Sequence, residues 1–152
     1  MKKLRVIIGS DHAGFAAKEK LKKYFEMKGI MHEDAGALNF KKDDDYPTYA
    51  FAVAEKVAKD KNSRGILLCH TGTGMAIAAN KVKGIRAAEA VDVYSAKMSR
   101  KDNDANVLSL HAHNLSYGSM TKIISAWLNT PFSGKKRHER RLGQIQRYES
   151  TK

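Results

Sequence analysis

Gly65-Ile66-Leu67-Leu68-Cys69-His70-Thr71-Gly72-Thr73-Gly74-Met75-Ala76-Ile77-Ala78-Ala79 is the stretch on which the fold turns. Ile66-Leu67-Leu68-Cys69 is a compact apolar run without polar alternation, the pattern of a strand covered on both faces. A turn rich in glycine and threonine follows, and residues 75–79 read as a helix. A buried strand that passes through glycines into a helix is the building unit of a parallel sheet.

The same alternation extends outward in both directions. Before it, Leu4-Arg5-Val6-Ile7-Ile8 is a β-rich run ended by Gly9-Ser10. Ala17, Leu21, Tyr24, Phe25 and Lys28 then recur at helical spacing, and Gly29 supplies a stop. A weak strand is expected over residues 30–34. Asp43, Asp44 and Asp45 mark a polar loop, and Tyr49, Val53 and Val57 line one face of a second helix. After it, residues 85–91 predict a strand, 94–100 a short helix and 106–110 a further strand. Met120, Ile123, Ile124, Trp127 and Leu128 make an amphipathic helix that Pro131 and Gly134 end, and a basic helix closes the chain. The pattern predicts an α/β fold with a central parallel sheet and helices on both faces, in one domain over residues 1–152. Such sheets bind ligands at the carboxyl ends of their strands. Residues 9–14, 69–74 and 101–113 are therefore the segments expected to carry a site.

Composition narrows the classes. The 152 residues are 42% apolar and 29% charged, an ordinary globular balance. The single cysteine, Cys69, excludes an intrachain disulfide and suits a reducing, cytoplasmic setting. The apolar run at residues 6–8 is too short for a secretory signal. No segment approaches 18 apolar residues, so no membrane span is expected. Net charge is +12, and part of the excess is local: Lys135, Lys136, Arg137, Arg140, Arg141 and Arg147 stand against Glu139 alone. From charge alone, nucleic acid, a phosphate group and a merely solvated face all remain open.

The glycine turn carries chemistry of its own. Amides at the start of a helix welcome an anion or a developing oxyanion. No Gly-Lys-Ser/Thr follows, so it is not a Walker loop, and Ile77 stands where a dinucleotide fingerprint needs its last glycine. A plain strand–helix turn is the competing reading. Cys69, just before the loop, is placed either as a nucleophile or base, or as a small buried hydrophobe. In the first turn, Gly9-Ser10-Asp11-His12-Ala13-Gly14, Asp11 reads as a helix cap and His12 as an anion ligand, an acid or surface cover.

These residues together resemble the type B ribose-5-phosphate isomerases, with the galactose-6-phosphate isomerase subunits as looser relatives. The resemblance runs through Gly9-Ser10-Asp11-His12-Ala13-Gly14, Asp45-Tyr46-Pro47, residues 65–69 and 77–87, Asn103-Asp104-Ala105-Asn106-Val107-Leu108, and Arg137-His138-Glu139-Arg140-Arg141. It covers nearly the whole chain in order. It implies a Rossmann-like three-layer sandwich, a homodimer or dimer of dimers with sites shared across the interface, no metal and no nucleotide cofactor. It implies a phosphorylated sugar as substrate, no nucleic-acid partner, and aldose–ketose interconversion through a cis-enediol. Cys69 then matches the base for the carbon-bound proton, and Thr71 a residue assisting hydroxyl proton transfer. Gly72, Thr73 and Gly74 would steady the enediolate, Arg137 and Arg141 would share the phosphate, and Asp11, His12, Tyr46, Asn103 and His138 would line the sugar.

The chain departs from the family pattern at the site. Asp102 stands where the family has the ring-opening histidine, His70 replaces a glycine, and His111-Ala112-His113 replaces Gly-x-Arg. Aspartate cannot act as a cationic donor, and an imidazole holds phosphate less firmly than the arginine fork. Asp102, His70, His111 and His113 are therefore expected to retune the substrate, with Asp102 a catalytic base for a hydroxyl proton and pentose, tetrose and hexose phosphates all in play; drift to reduced activity is the competing reading. A non-catalytic sugar-phosphate- or nucleic-acid-binding paralogue is the alternative.

Overall fold

The computed structural model describes residues 2–152. Five strands and six helices alternate in the order β1 (Arg5–Ser10), α1 (Phe15–Met27), β2 (Met31–Asp34), α2 (Tyr46–Lys59), β3 (Ser63–Cys69), α3 (Thr73–Ala79), β4 (Ala87–Glu89), α4 (Val93–Asn103), β5 (Val107–His111), α5 (Tyr117–Leu128) and α6 (Lys136–Ser150). The sheet is wholly parallel, in the order β2-β1-β3-β5-β4. The three-layer sandwich expected from the sequence is present.

Both faces of the sheet are apolar, which is why its strands read as continuous hydrophobic runs. Successive side chains alternate between the faces. Val6, Ile8, Ile66, Leu68, Leu108 and Leu110 pack with Leu21 and Phe25 of α1, Ala96 of α4, and Ile124 and Trp127 of α5. Ile7, Leu67, Cys69 and Val107 pack on the other face with Val53 and Val57 of α2 and Met75 and Ala79 of α3. Close packing at Gly14 is tight: a Cβ there would lie 2.5 Å from the Leu68 carbonyl oxygen. Gly14 therefore sets how near the start of α1 comes to β3.

Several boundaries shift from the sequence expectation for local reasons. The strand expected over residues 85–91 shrinks to Ala87–Glu89. The Arg86 amide donates to Asn106 Oδ1 (2.8 Å), and Asp92 already caps α4, accepting from the Ser95 amide at 2.7 Å. Helix α3 begins at Thr73, so Thr73 and Gly74 form its first turn rather than a loop.

The chain reverses its direction of travel across the sheet between β1 and β3. From β1 it moves outward to β2, and from there it returns to the other side of β1 as β3. The connections leaving β1 and β3 enter helices on opposite faces, α1 and α3, and open a crevice at their carboxyl ends.

One expectation about position is corrected. Residues 101–113 do not all gather at the carboxyl ends. Helix α4 leaves β4 there and must run back to start β5, so its last residues, Asp102 and Asn103, lie at the amino end of the sheet. Arg86, which precedes β4, donates from Nε to the Asn103 and Asp104 carbonyls at 3.1 and 3.0 Å. Only 111–113 reach the carboxyl end.

Candidate active site

The β1–β3 crevice brings together the first sequence-predicted group. Cys69 ends β3 and is 5% exposed, with its sulfur on the α2–α3 face. Gly72, at φ 84°, turns its amide back to donate to Cys69 Sγ at 3.1 Å. A side chain at Gly72 would meet the Leu110 carbonyl at 3.1 Å, so both the turn and the close approach call for glycine. The Gly72 carbonyl accepts from the buried Ser109 hydroxyl of β5 at 2.6 Å. The sulfur is thus both a core atom and a fixed group at the mouth of the crevice, so the two readings of Cys69 are compatible. Thr71 is exposed, and its Oγ1 accepts from the Thr73 amide at 3.4 Å. Tyr46, at the start of α2, lies against the same loop: a Cβ on Gly74 would stand 2.7 Å from its Cζ.

Around the end of β1 the polar groups are buried and ordered. Asp11 is 5% exposed, and its Oδ1 accepts from the Gly14 amide at 3.1 Å; Gly14 is itself the cap residue of α1, so Asp11 closes the turn before the helix rather than capping it. Burial raises its pKa, and the Gly14 amide and the neighbouring His12 offset part of that. His12 is held by a residue that sequence reasoning left in a polar loop. Both its backbone amide and its Nδ1 meet Asp44 Oδ1 at 2.8 Å. That hydrogen bond raises the His12 pKa. Burial pushes Asp44 upward, but the bonds from His12 outweigh it and leave the carboxylate below its ordinary range. Ligand atoms of Asp11, His12 and Asp44 lie within 4.8 Å of one another, a spacing that can hold a cation. Both His12 bonds converge on one Asp44 oxygen, an arrangement that fixes the imidazole's orientation.

A second polar group, also unforeseen, borders the glycine turn. Glu89 ends β4, accepts from Thr73 Oγ1 at 2.9 Å and pairs with His111 Nε2 at 2.8 Å. His111 is the register partner of Cys69 on the neighbouring strand, so it shares that residue's face. His70 and His113 also come together, with ring centroids 4.3 Å apart and the planes tilted by 30°. The His113 amide donates to the His70 carbonyl at 3.2 Å. His70 and His113 thus stack on one another after the end of β3, while His111 pairs with Glu89 on the Cys69 face.

The remaining predicted residues form a separate group. His138, buried at the first turn of α6, lies 3.7 Å from Asp102 at the end of α4, and its Nδ1 meets Ser133 Oγ at 2.7 Å. Arg137 Nε reaches His138 Nε2 at 3.3 Å, and Arg141 follows one turn later; both arginines are exposed. This α4–α6 group adjoins the amino end of the sheet. Strand β3, seven residues long, separates the two ends by about 20 Å at roughly 3.3 Å per residue. Within one chain the two groups are not brought together.

Comparison with known proteins places this arrangement. A family model described as Ribose/Galactose Isomerase matches residues 6–145. The chain belongs to that family. Its relatives include the ribose-5-phosphate isomerase B of Mycolicibacterium paratuberculosis, 38% identical over 97% of this chain and 93% of that one. Among solved structures, the ribose-5-phosphate isomerase B of Clostridium thermocellum superposes with a TM-score of 0.93 at 38% identity, covering 97% of this chain and 99% of its own. The Mycoplasma genitalium enzyme, solved with bound ribulose-5-phosphate, gives 0.94 at 38% identity over the full length of both chains. Family membership and the fold agree with one another. Among the described residues no helix is long and apolar enough to cross a membrane.

Proposed function

We propose that this chain is a sugar-phosphate isomerase that interconverts an aldose and a ketose through a cis-enediol, in sites completed by a second copy of itself. The observation that carries the reading is the Cys69 sulfur, fixed by the Gly72 amide at the switch point of the sheet and flanked by the first turn of α3. The relatives' names and the ribulose-5-phosphate held by the Mycoplasma genitalium protein supply the substrate class.

In this reading Cys69 takes the proton from the carbon next to the carbonyl and returns it to the neighbouring carbon. The Thr71 hydroxyl moves the proton between the two substrate oxygens. The first-turn amides of α3, which have no intrahelical acceptors, steady the enediolate oxygen, a role worth about 3–4 kcal/mol per donor in comparable sites. Asp11, His12 and Tyr46 contact the sugar hydroxyls from the β1 and α2 side, with His12 aimed by Asp44.

The phosphate is assigned to Arg137 and Arg141, one turn apart on α6, with Asp102, Asn103 and His138 beside them. A sugar phosphate cannot span the length of β3, so these residues serve the crevice of a partner chain. That separation supports a dimer with shared sites. Asp102 replaces the family's ring-opening histidine, which favours substrates that need little ring opening, tetrose phosphates among them.

A coupled assay over tetrose, pentose and hexose phosphates tests the reading, with Cys69→Ala as the control. Turnover of at least one aldose phosphate that the substitution abolishes supports it. No turnover across the panel, or a fully active Cys69→Ala protein, refutes it.

A further inference from the structure

A groove of about 460 Å³ crosses the amino ends of β3 and β5, at the end of the sheet opposite Cys69. Lys61, Arg64, Arg86 and Arg100 line it, against the single carboxylate of Asp104, with Asn106 beside them. Four cations to one anion is an uncommon balance for a partly buried surface, and the acid is already committed. Asp104 pairs with Arg100 Nη1 at 2.8 Å and with Arg86 Nη2 at 3.2 Å.

Arg64 is the unmatched group. Its Nη1 donates to the Leu128 carbonyl at 3.0 Å, and its guanidinium stands 5.7 Å from the centre of the Trp127 ring. Among the described residues it has no carboxylate within salt-bridge distance. The two most deeply buried cations behave differently: Lys18 pairs with Asp34 at 2.7 Å, and Arg100 pairs with Asp104. Burial and the nearby charge of Arg100 lower the Arg64 pKa to about 10. A cation held in this way is costly unless an anion meets it.

We propose that this groove is a second anion site, which takes a small molecule carrying two phosphoryl groups. The chemistry supports the class. Guanidinium forks match phosphoryl oxygens in pairs, and three arginines line one cavity. The net excess of three positive charges exceeds what a single phosphate neutralises and suits a pyrophosphate or a sugar bisphosphate. The volume falls within the range of small-molecule sites. The lining holds no cysteine and no histidine, and its Ser63 hydroxyl is committed to the Asp60 carbonyl at 2.7 Å, so the site binds rather than reacts. It lies a strand's length from the Cys69 crevice and at the same end of the sheet as the Arg137–Arg141 pair, whose side chains are not among its lining, and it gives a use to basic residues that one substrate phosphate leaves over.

The probe is inorganic pyrophosphate, titrated calorimetrically into the Arg137→Ala/Arg141→Ala protein, which lacks the phosphate site assigned to catalysis. Saturable binding of one pyrophosphate per chain is expected, weaker at higher salt and stronger than inorganic phosphate. Adding Arg64→Leu should weaken it about tenfold or more, the loss expected for one charge-assisted hydrogen bond. Lys61→Glu alters an exposed side chain, leaves the fold alone and should also weaken binding. Absence of saturable binding overturns the proposal, as does binding that neither substitution changes. So does an oligonucleotide that occupies the protein and is not displaced by pyrophosphate. Because both substitutions lie outside the catalytic groups, sugar-phosphate turnover in the Arg64→Leu protein reports on the isomerase reading separately.

Discussion

Mixing two inactive variants should restore about a quarter of the activity. Cys69→Ala leaves the α4–α6 group intact, and Arg137→Ala/Arg141→Ala leaves the crevice intact. Equal amounts that exchange subunits at random give half mixed dimers. In a two-fold symmetric dimer each mixed pair holds one site with both intact halves and one with neither, so one site in four works. The structural basis is the separation of about 20 Å between the two ends of β3, which no pentose phosphate bridges. The variants should fold. Arg137 and Arg141 are exposed, and removing the Cys69 sulfur costs roughly 1–2 kcal/mol in cavity and hydrogen-bond loss, small against typical stabilities. The assay is coupled turnover after incubation, with exchange followed by native mass spectrometry on tagged chains. No recovery despite demonstrated exchange would refute the shared site. Activity in the unmixed arginine variant would show that the phosphate is held elsewhere.

The other expectations concern charge and substrate choice. Asp44 raises the His12 pKa, so the pair contributes stability below the ordinary histidine value near 6.5 and loses it as pH climbs through the raised value. Asp44→Asn should bring the His12 titration, followed by NMR of the ring protons, back down toward 6.5; an unmoved midpoint would mean another group sets it. Asp34 behaves oppositely. Burial raises it, the Lys18 and Lys22 hydrogen bonds more than reverse that, and the contribution is lost as pH falls through the depressed value. Asp34→Asn leaves the buried Lys18 with only the more distant Glu19 carboxylate, at 3.6 Å. It should cost about 3–5 kcal/mol, lowering Tm by roughly 6–20 °C in calorimetry; a drop under about 2 °C would contradict the pairing. Asp102→His with His113→Arg should raise ribose 5-phosphate turnover relative to tetrose phosphates in the coupled assay; an unchanged preference would remove these two positions from specificity.

The parts of the site legible in the sequence are those whose geometry is local. Cys69 and Gly72 are three residues apart, as are Asp11 and Gly14, and in each pair a strand–helix turn closes the contact. Arg137 and Arg141 share a face because helical spacing dictates it. Asp44 looked like one of three acids in a polar loop, because its partner His12 lies 32 residues away. Glu89 and His111 are 22 residues apart and Ser109 and Gly72 are 37, so each pair depends on which strands become neighbours. Placing Asp102 at the wrong end of the sheet had the same origin. A contiguous segment was treated as one location, although α4 carries its end the full length of a strand from His111.

The sequence by itself determined the alternation of strands and helices, the parallel sheet, the family and the position of the glycine turn, because periodicity, turn residues and short motifs act over a few residues. Only the tertiary structure decided that β5 inserts between β3 and β4, that Asp44 aims His12 and Glu89 meets His111, and that the arginine group lies a strand's length from the cysteine. Those outcomes follow from burying both faces of one sheet at once, a constraint on the whole chain that no local stretch records.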